Sequence, residues 1–260
     1  MNPLAFLRGL VRLVAARPQP PRSLRGNPTL RLILERRSVR RFLAREIPDD
    51  HWLAILEAGR LAPSTVNLQT WSFGCFTADE WRETFGRSLP YGAARAVIVL
   101  TDTQRARRVV PDFPAVPLCD HTVGVMNASL AAMAMTLAAE ALGLGSVMLS
   151  ETGRTGFYDA RELSEVLALP PGVVPITTIA FGWPATVPVM PPKLPLDAIT
   201  FTGRYRPTPQ AVLEAWFEQM RSGYLAATGQ SFQKQIDHYN RRLGEAEADL
   251  RRLVLPDQQP

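Results

Sequence analysis

Ala62-Pro63-Ser64-Thr65-Val66-Asn67-Leu68-Gln69-Thr70-Trp71 is the stretch on which the reading of this chain turns. Pro63 stops a helical pattern that opens at Pro48-Asp49-Asp50 and runs to Leu61. Ser64, Asn67 and Gln69 then follow at spacings of three and two, and Trp71–Thr77 alternates like a strand. Amide side chains carry both donors and acceptors. That suits a planar heterocycle with alternating C=O and N–H edges. A capped loop reads the same way.

Working outward, Asn27-Pro28 is a helix start, a cap followed by proline, continued by Thr29–Arg37. It ends on Arg36-Arg37-Ser38-Val39-Arg40-Arg41-Phe42. Arg36, Arg37, Arg40 and Ser38 can enclose a phosphate monoester with paired donors. A solvated basic run is the plainer alternative. Downstream, Ala96–Thr101 is a β-branched run with the look of a central strand, and Asp102–Leu118 reads as a loop. Asp120–Leu142 is a long Ala/Met helix stopped by Gly143. Gly145–Ser150 and Val173–Phe181 read as strands, with a helix at Ala160–Leu169 between them. Pro184–Pro209 is proline-rich and extended, and residues 210–254 read as two helices. Helices outnumber strands and do not alternate with them regularly, which favours an α+β fold.

The formal charge of +5 is unevenly placed. Arg8, Arg12, Arg17, Arg22, Arg25 and Arg31 precede the first acid, which leaves 23 basic against 24 acidic residues in 35–260. The body is near neutral, so no nucleic-acid partner is expected. Residues 1–16 pattern as a short basic amphipathic helix, suited to weak contact with a membrane surface or a partner. Two cysteines, Cys75 and Cys119, form no framework, which suits a reducing, cytoplasmic compartment. Val123–Leu142 is apolar but holds Asn127, Ser129 and Glu140, and reads as a close-packed core helix.

Several catalytic signatures are missing from the sequence: HExxH, GxSxG and the Gly-Lys-Ser/Thr phosphate loop. Gly143-Leu144-Gly145 follows a helix and precedes a strand, the reverse of a dinucleotide loop. Ser231/Lys234 match SxxK only by spacing. Cys119-Asp120-His121 are adjacent and cannot easily chelate one ion, so core or interface roles are expected. His51 and His238 read as solvated or capping.

Taken together, the chain resembles the FMN-dependent nitroreductase family. The resemblance rests on Arg36/Ser38/Arg40/Phe42, on Pro63/Ser64/Asn67/Gln69/Trp71, on Gly143-Leu144-Gly145-Ser146 and on Gly182-Trp183-Pro184-Ala185, in order and correctly spaced. Two departures stand out. Thr70 replaces the family's usual proline, and the basic pair after the last segment is reduced to Lys193. The resemblance implies an antiparallel sheet wrapped by helices, an intertwined homodimer, and two FMN sites at the subunit interface. Charge and pattern make 1–26 a basic arm and linker and 206–260 a helical extension, which leaves 27–205 as the FMN-binding domain that the resemblance implies.

By position, Arg36, Arg37 and Ser38 would hold the FMN phosphate and ribityl chain, with Lys193 as a second phosphate ligand. Arg40 would lie near the pyrimidine end and stabilise the anionic reduced flavin. Pro63, Ser64, Asn67 and Gln69 would contact ring or ribityl, with Ser64 and Asn67 from the partner. Met148-Leu149-Ser150 would pass the flavin edge. The implied reaction is ping-pong transfer from NADH or NADPH to a nitroaromatic, quinone or similar small acceptor. No catalytic protein nucleophile is implied. The loops Asp102–Leu118 and Glu151–Phe157 would shape the acceptor pocket. Other chemistries of the scaffold (azoline oxidation, dehalogenation, flavin fragmentation) stay open, as does a non-catalytic flavin-binding module docking through its terminal extensions.

Overall fold

Ala96, Ile98 and Leu100 of one strand are buried in one apolar cluster, and Val97 and Val99 in another. That alternation on both faces is why the run is apolar without interruption. The structure, a computed structural model, describes Leu7 and residues 21–110, 112–150, 156–186, 188–228 and 231–255. The expected helix over 1–16 falls outside the described residues apart from Leu7.

The strand is β2 (Arg95–Asp102), between β1 (Trp71–Thr77) and β4 (Val173–Gly182). With β3 (Gly145–Leu149) the order is β1-β2-β4-β3, antiparallel throughout. The β2–β4 register slips between Val99 and Leu100, where β4 carries Pro175 opposite Leu100. Proline has no N–H for the ladder, so the irregularity sits where a ladder bond is missing.

Helices cover both faces. On one side are α1 (Asp49–Arg60) and α2 (Pro117–Ala141). They pack closely because Gly59 faces Met135, whose Cε lies 2.2 Å from where a Cβ would stand. Ala128, Ala132 and Ala139 continue that buried seam. The helix α2 is long and apolar enough to cross a membrane by composition alone, but its buried residues, Asn127 and Thr136 among them, lie in the protein core. The other face receives Trp81 and Phe85 from the helix Ala78–Phe85 and Leu163 from the helix Ala160–Val166. Thr77 caps the first of these by accepting from the Glu80 N–H, while the Glu80 carboxylate accepts from the Thr77 N–H. The α+β architecture is as expected.

Three local expectations change. Asp102–Leu118 is not all loop, because Gln104–Val109 is helical. The long helix starts at Pro117 rather than Asp120, with proline at its first position. The proline-rich segment contains a short helix, Leu196–Ile199.

The chain divides into two compact units, Arg36–Pro188 with Arg242–Pro260, and Met1–Glu35 with Val189–Arg241. The smaller unit holds the helices Pro28–Glu35 and Gln210–Thr228. Asn27 Oδ1 caps the former by accepting from the Leu30 N–H at 3.0 Å. In the latter, Trp216 donates to the Pro192 carbonyl at 3.3 Å. The last helix, Phe232–Val254, enters the larger unit at Arg242. There Arg242 donates to Asp159 Oδ1 at 2.7 Å and to the Tyr158 carbonyl at 3.1 Å, and Ala246 is buried.

Candidate flavin site

The arginine segment has a seat. Val39 N–H donates to the Ser146 carbonyl at 2.9 Å, and Ser38 and Ser146 form a parallel bridge. This seats Ser38 and Val39 on the free edge of β3 at Ser146. The approach needs glycine: a Cβ on Gly145 would stand 2.6 Å from Val39 Cγ2. The segment continues as a second bridge, Phe42 to Pro184, with Leu43 N–H on the Trp183 carbonyl (2.8 Å) and Ala185 N–H on the Arg41 carbonyl (3.0 Å). Gly182 makes room for Phe42 as Gly145 does for Val39. Arg45 stacks on the Trp183 ring at 3.8 Å. Three of the four motif pieces therefore touch one another.

Among the described residues, Arg36 and Arg40 have no carboxylate partner, and Arg40 only reaches the Ser38 carbonyl at 3.4 Å. Arg37 donates to the Arg36 carbonyl at 2.8 Å. Guanidiniums, a half-buried Ser38 and exposed backbone make a donor set that fits a phosphate. On β3 itself Met148 is 41% exposed between the buried Val147 and Leu149, and Ser150 follows the strand.

The amide loop is elsewhere. It feeds β1, at the opposite edge of the sheet from β3. Trp71 is level with Val174 on β4, and Ser146 with Phe181. The two corners are roughly 14 Å apart across the strands and about 23 Å along them. A single copy thus seats the segment that carries Arg36, Arg37, Ser38 and Arg40 on Ser146 of β3, the strand that carries Met148 and Leu149 and leads to Ser150, and leaves Pro63, Ser64, Asn67 and Gln69 at another corner. Lys193 is an exposed residue of the smaller unit.

The loop is strained and held. Val66, Asn67 and Gln69 have φ of 50°, 57° and 48°, left-handed values that cost about 1–3 kcal/mol each without glycine. Ser64 Oγ accepts from the Gln69 N–H at 3.0 Å, and Gln69 Nε2 is 3.5 Å from Asn67 Oδ1. Asn127, on α2 and 1% exposed, accepts from the Thr65 N–H at 3.1 Å and donates to Thr70 Oγ1 at 2.8 Å. The Thr70 departure is thereby accounted for: its hydroxyl is a buried acceptor, and its carbonyl accepts from the Asp102 N–H at 3.1 Å.

The sequence marks Asn127 only as a polar residue of the core helix and Arg105 only as part of a charged loop, and signals neither as a partner of the amide segment. Arg105 donates to the carbonyls of Gln69 (3.1 Å) and Trp71 (2.8 Å) and to Ser72 Oγ (2.7 Å). It also pairs with Asp102 at 3.2 Å, so it is committed to the end of the loop and the start of β1. Arg107 pairs with Asp120. His121 lies beside that pair in a cavity of about 190 Å³, and burial lowers its pKa. Residues 151–155 of the expected acceptor loop lie outside the described residues. The smaller unit has a concavity of about 360 Å³ lined by Thr200, Phe201, Thr202, Arg204 and Arg206, which no motif signalled.

The profile of the nitroreductase family matches residues 33–183, most of the chain and nearly the main segment of the larger unit. The chain belongs to the nitroreductase family. It is 28% identical over 204 residues to an oxygen-insensitive NADPH nitroreductase of Salmonella typhimurium, covering 76% of this chain and 83% of that one. It is 28% identical over 239 residues to an NADPH-flavin oxidoreductase of Vibrio harveyi, covering 88% and 95%. The solved NADPH:FMN oxidoreductase of Vibrio harveyi in complex with NAD+ shares the fold, with a TM-score of 0.70 at 24% identity over 86% of this chain and 98% of that one.

Proposed function

We propose that this nitroreductase-family protein is an FMN-dependent oxidoreductase that takes hydride from NADH or NADPH and reduces nitroaromatics, quinones or similar electron-poor acceptors. FMN, when bound, supplies the hydride chemistry; the chain binds, orients and tunes it. The observation that carries the reading is the β3 edge, where Ser38 bridges Ser146 and its neighbours Arg36 and Arg40, among the described residues, have no carboxylate partner. Arg36, Arg37 and Ser38 hold the phosphate, with Lys193 as a further phosphate ligand. Arg40 places positive charge toward the pyrimidine end. Met148, Leu149 and Ser150 run past the ring edge, and Pro63, Ser64, Asn67 and Gln69 contact ring or ribityl. Donor and acceptor occupy the same exposed face in turn, a ping-pong order. The family names of the relatives support the same chemistry.

The site is read as shared between two copies. The support is the separation of its two halves on one sheet, together with Met126, Leu130 and Met133, exposed at helical spacing on α2. Such a stripe suits burial against a second copy.

The experiment is purification followed by a visible spectrum, FMN titration, and stopped-flow reduction with each nicotinamide and reoxidation by an acceptor panel. A protein that takes up no FMN refutes the reading. The sharing of the site is tested by co-folding Arg36→Ala with Asn67→Ala chains. A mixed dimer then contains one site with both residues intact and regains FMN binding that each parent lacks. No regain means the halves come from one chain.

A further inference from the structure

Of the five non-glycine residues with left-handed backbone among the described residues, three crowd into Val66–Gln69. Val66 is 86% exposed, so packing does not hold it there. Such backbone persists where the surroundings over-determine it, and it concentrates at functional sites. Here the restraint comes from outside the loop. Asn127 spans it, joining Thr65 before the strained residues to Thr70 after them. Arg105, on the helix Gln104–Val109, fixes the carbonyls on either side of Thr70. Asn127 puts a polar amide in an otherwise apolar seam of Ala128, Ala131, Ala132 and Met135. Both ends of that amide are spent on the loop, its oxygen on the Thr65 N–H and its nitrogen on Thr70 Oγ1.

We propose that Asn127, acting through Thr65 and Thr70, and Arg105, acting through Gln69, are positioning residues that set the backbone of Asn67 and Gln69 for the flavin. The inference rests on the reading that this loop contacts FMN. Neither residue touches the flavin; each fixes the angle at which the loop presents its amides.

The test uses the isosteric change Thr70→Val, which keeps shape and leaves the Asn127 Nδ2 donor without its acceptor. The FMN dissociation constant, read by fluorescence quenching, rises about tenfold, or about 1.4 kcal/mol. Thr70→Ser, which retains the hydroxyl, restores it. Arg105→Met at an exposed position raises the constant several-fold, and carries the test should Thr70→Val not fold. Melting is recorded with and without FMN. A positioning role shrinks the increment FMN adds to the melting temperature. Equal melting losses with and without FMN, at unchanged affinity, overturn the proposal. Asn67→Ala and Gln69→Ala separate the two layers. If they weaken FMN binding while Thr70→Val and Arg105→Met do not, the positioning role is wrong. If they also leave binding unchanged, the loop reading itself fails, and the inference with it.

Discussion

Gly145→Ala is a one-carbon change that should be felt in both stability and flavin affinity. The new Cβ would stand 2.6 Å from Val39 Cγ2, 2.9 Å from Val39 Cβ and 3.1 Å from Val39 Cγ1. All three atoms belong to a buried β-branched side chain that cannot rotate clear, since any rotamer leaves a carbon near the clash. The strand must move apart from the arginine segment. Overpacking of this kind costs about 1–3 kcal/mol. Weakening the Val39–Ser146 hydrogen bond adds about 1 kcal/mol. The total of roughly 2–4 kcal/mol lowers the melting temperature by about 5–15 °C at this chain length. The same displacement moves Arg36 and Arg40 off β3, so the FMN dissociation constant rises as well.

The discriminating measurement is a double-mutant cycle with Val39→Ala. Alone, Val39→Ala deletes two buried methyl groups and costs about 2 kcal/mol. In the double variant both Cγ contacts are gone and only the 2.9 Å approach of the two Cβ atoms remains, so the combined loss is smaller than the sum by about 1 kcal/mol, and FMN affinity recovers in part. Both quantities come from urea denaturation and flavin titration of the four proteins. Additivity within about 0.5 kcal/mol would refute the contact argument, because it would mean that the two side chains do not compete for one space.

Arg40→Gln removes the positive charge proposed near the pyrimidine end and shifts the bound flavin's midpoint potential to a more negative value, measured by dye-equilibrated reduction. Arg242→Met strips the partly exposed cation from Asp159 and destabilises the larger unit by about 3 kcal/mol in denaturant titration; hydrogen exchange over 242–254 rises with it. His121 has its pKa lowered by burial, so its stabilising effect is complete above the unfolded pKa of about 6.5 and is lost as pH falls through the folded value. The melting temperature should therefore drop more between pH 7 and 5 in the natural protein than in His121→Gln, and parallel profiles would reject the assignment. Thr77→Ala removes the cap of Ala78–Phe85 and costs about 1 kcal/mol by the same denaturation assay.

The elements that read clearly are those whose local pattern and burial agree. Ala96–Thr101 is apolar on both faces because helices cover both, and Asn27 caps its helix as its position implies. Other signals were present but weak. Thr77 and Glu80 spell a capping box, and Pro117 marks a first helical position, yet Thr77 closes a stretch that reads as strand and Pro117 lies inside one that reads as loop. The short helix Gln104–Val109 has no side-chain cap and is followed by prolines at 111, 114 and 117, so no pattern announces it. In the site, the arginines and amides are legible as chemistry. Their arrangement is not, because it depends on contacts far apart in sequence. Gly145 reads as a helix-stop neighbour but serves as the seat for Val39. Thr70 reads as a departure from the family and is a hydrogen-bond partner for Asn127.

The two halves of the candidate site are built by different physics, and this bears on what each can do. The arginine half rests on regular backbone bridges and glycine-permitted contact with β3, so its geometry is fixed by packing. The amide half rests on strained backbone fixed by a few side-chain hydrogen bonds. Packing holds a charge cluster in place whether or not an anion is present. Strain held by hydrogen bonds is different: ligand binding adds to the restraint, and loss of one bond releases part of the loop. Phosphate-side changes should therefore act mainly through charge and be sensitive to salt. Loop-side changes act through orientation, which the short range of hydrogen bonds makes nearly independent of salt. A protein that must grip one end of a cofactor firmly and present the other to successive substrates is served by that division.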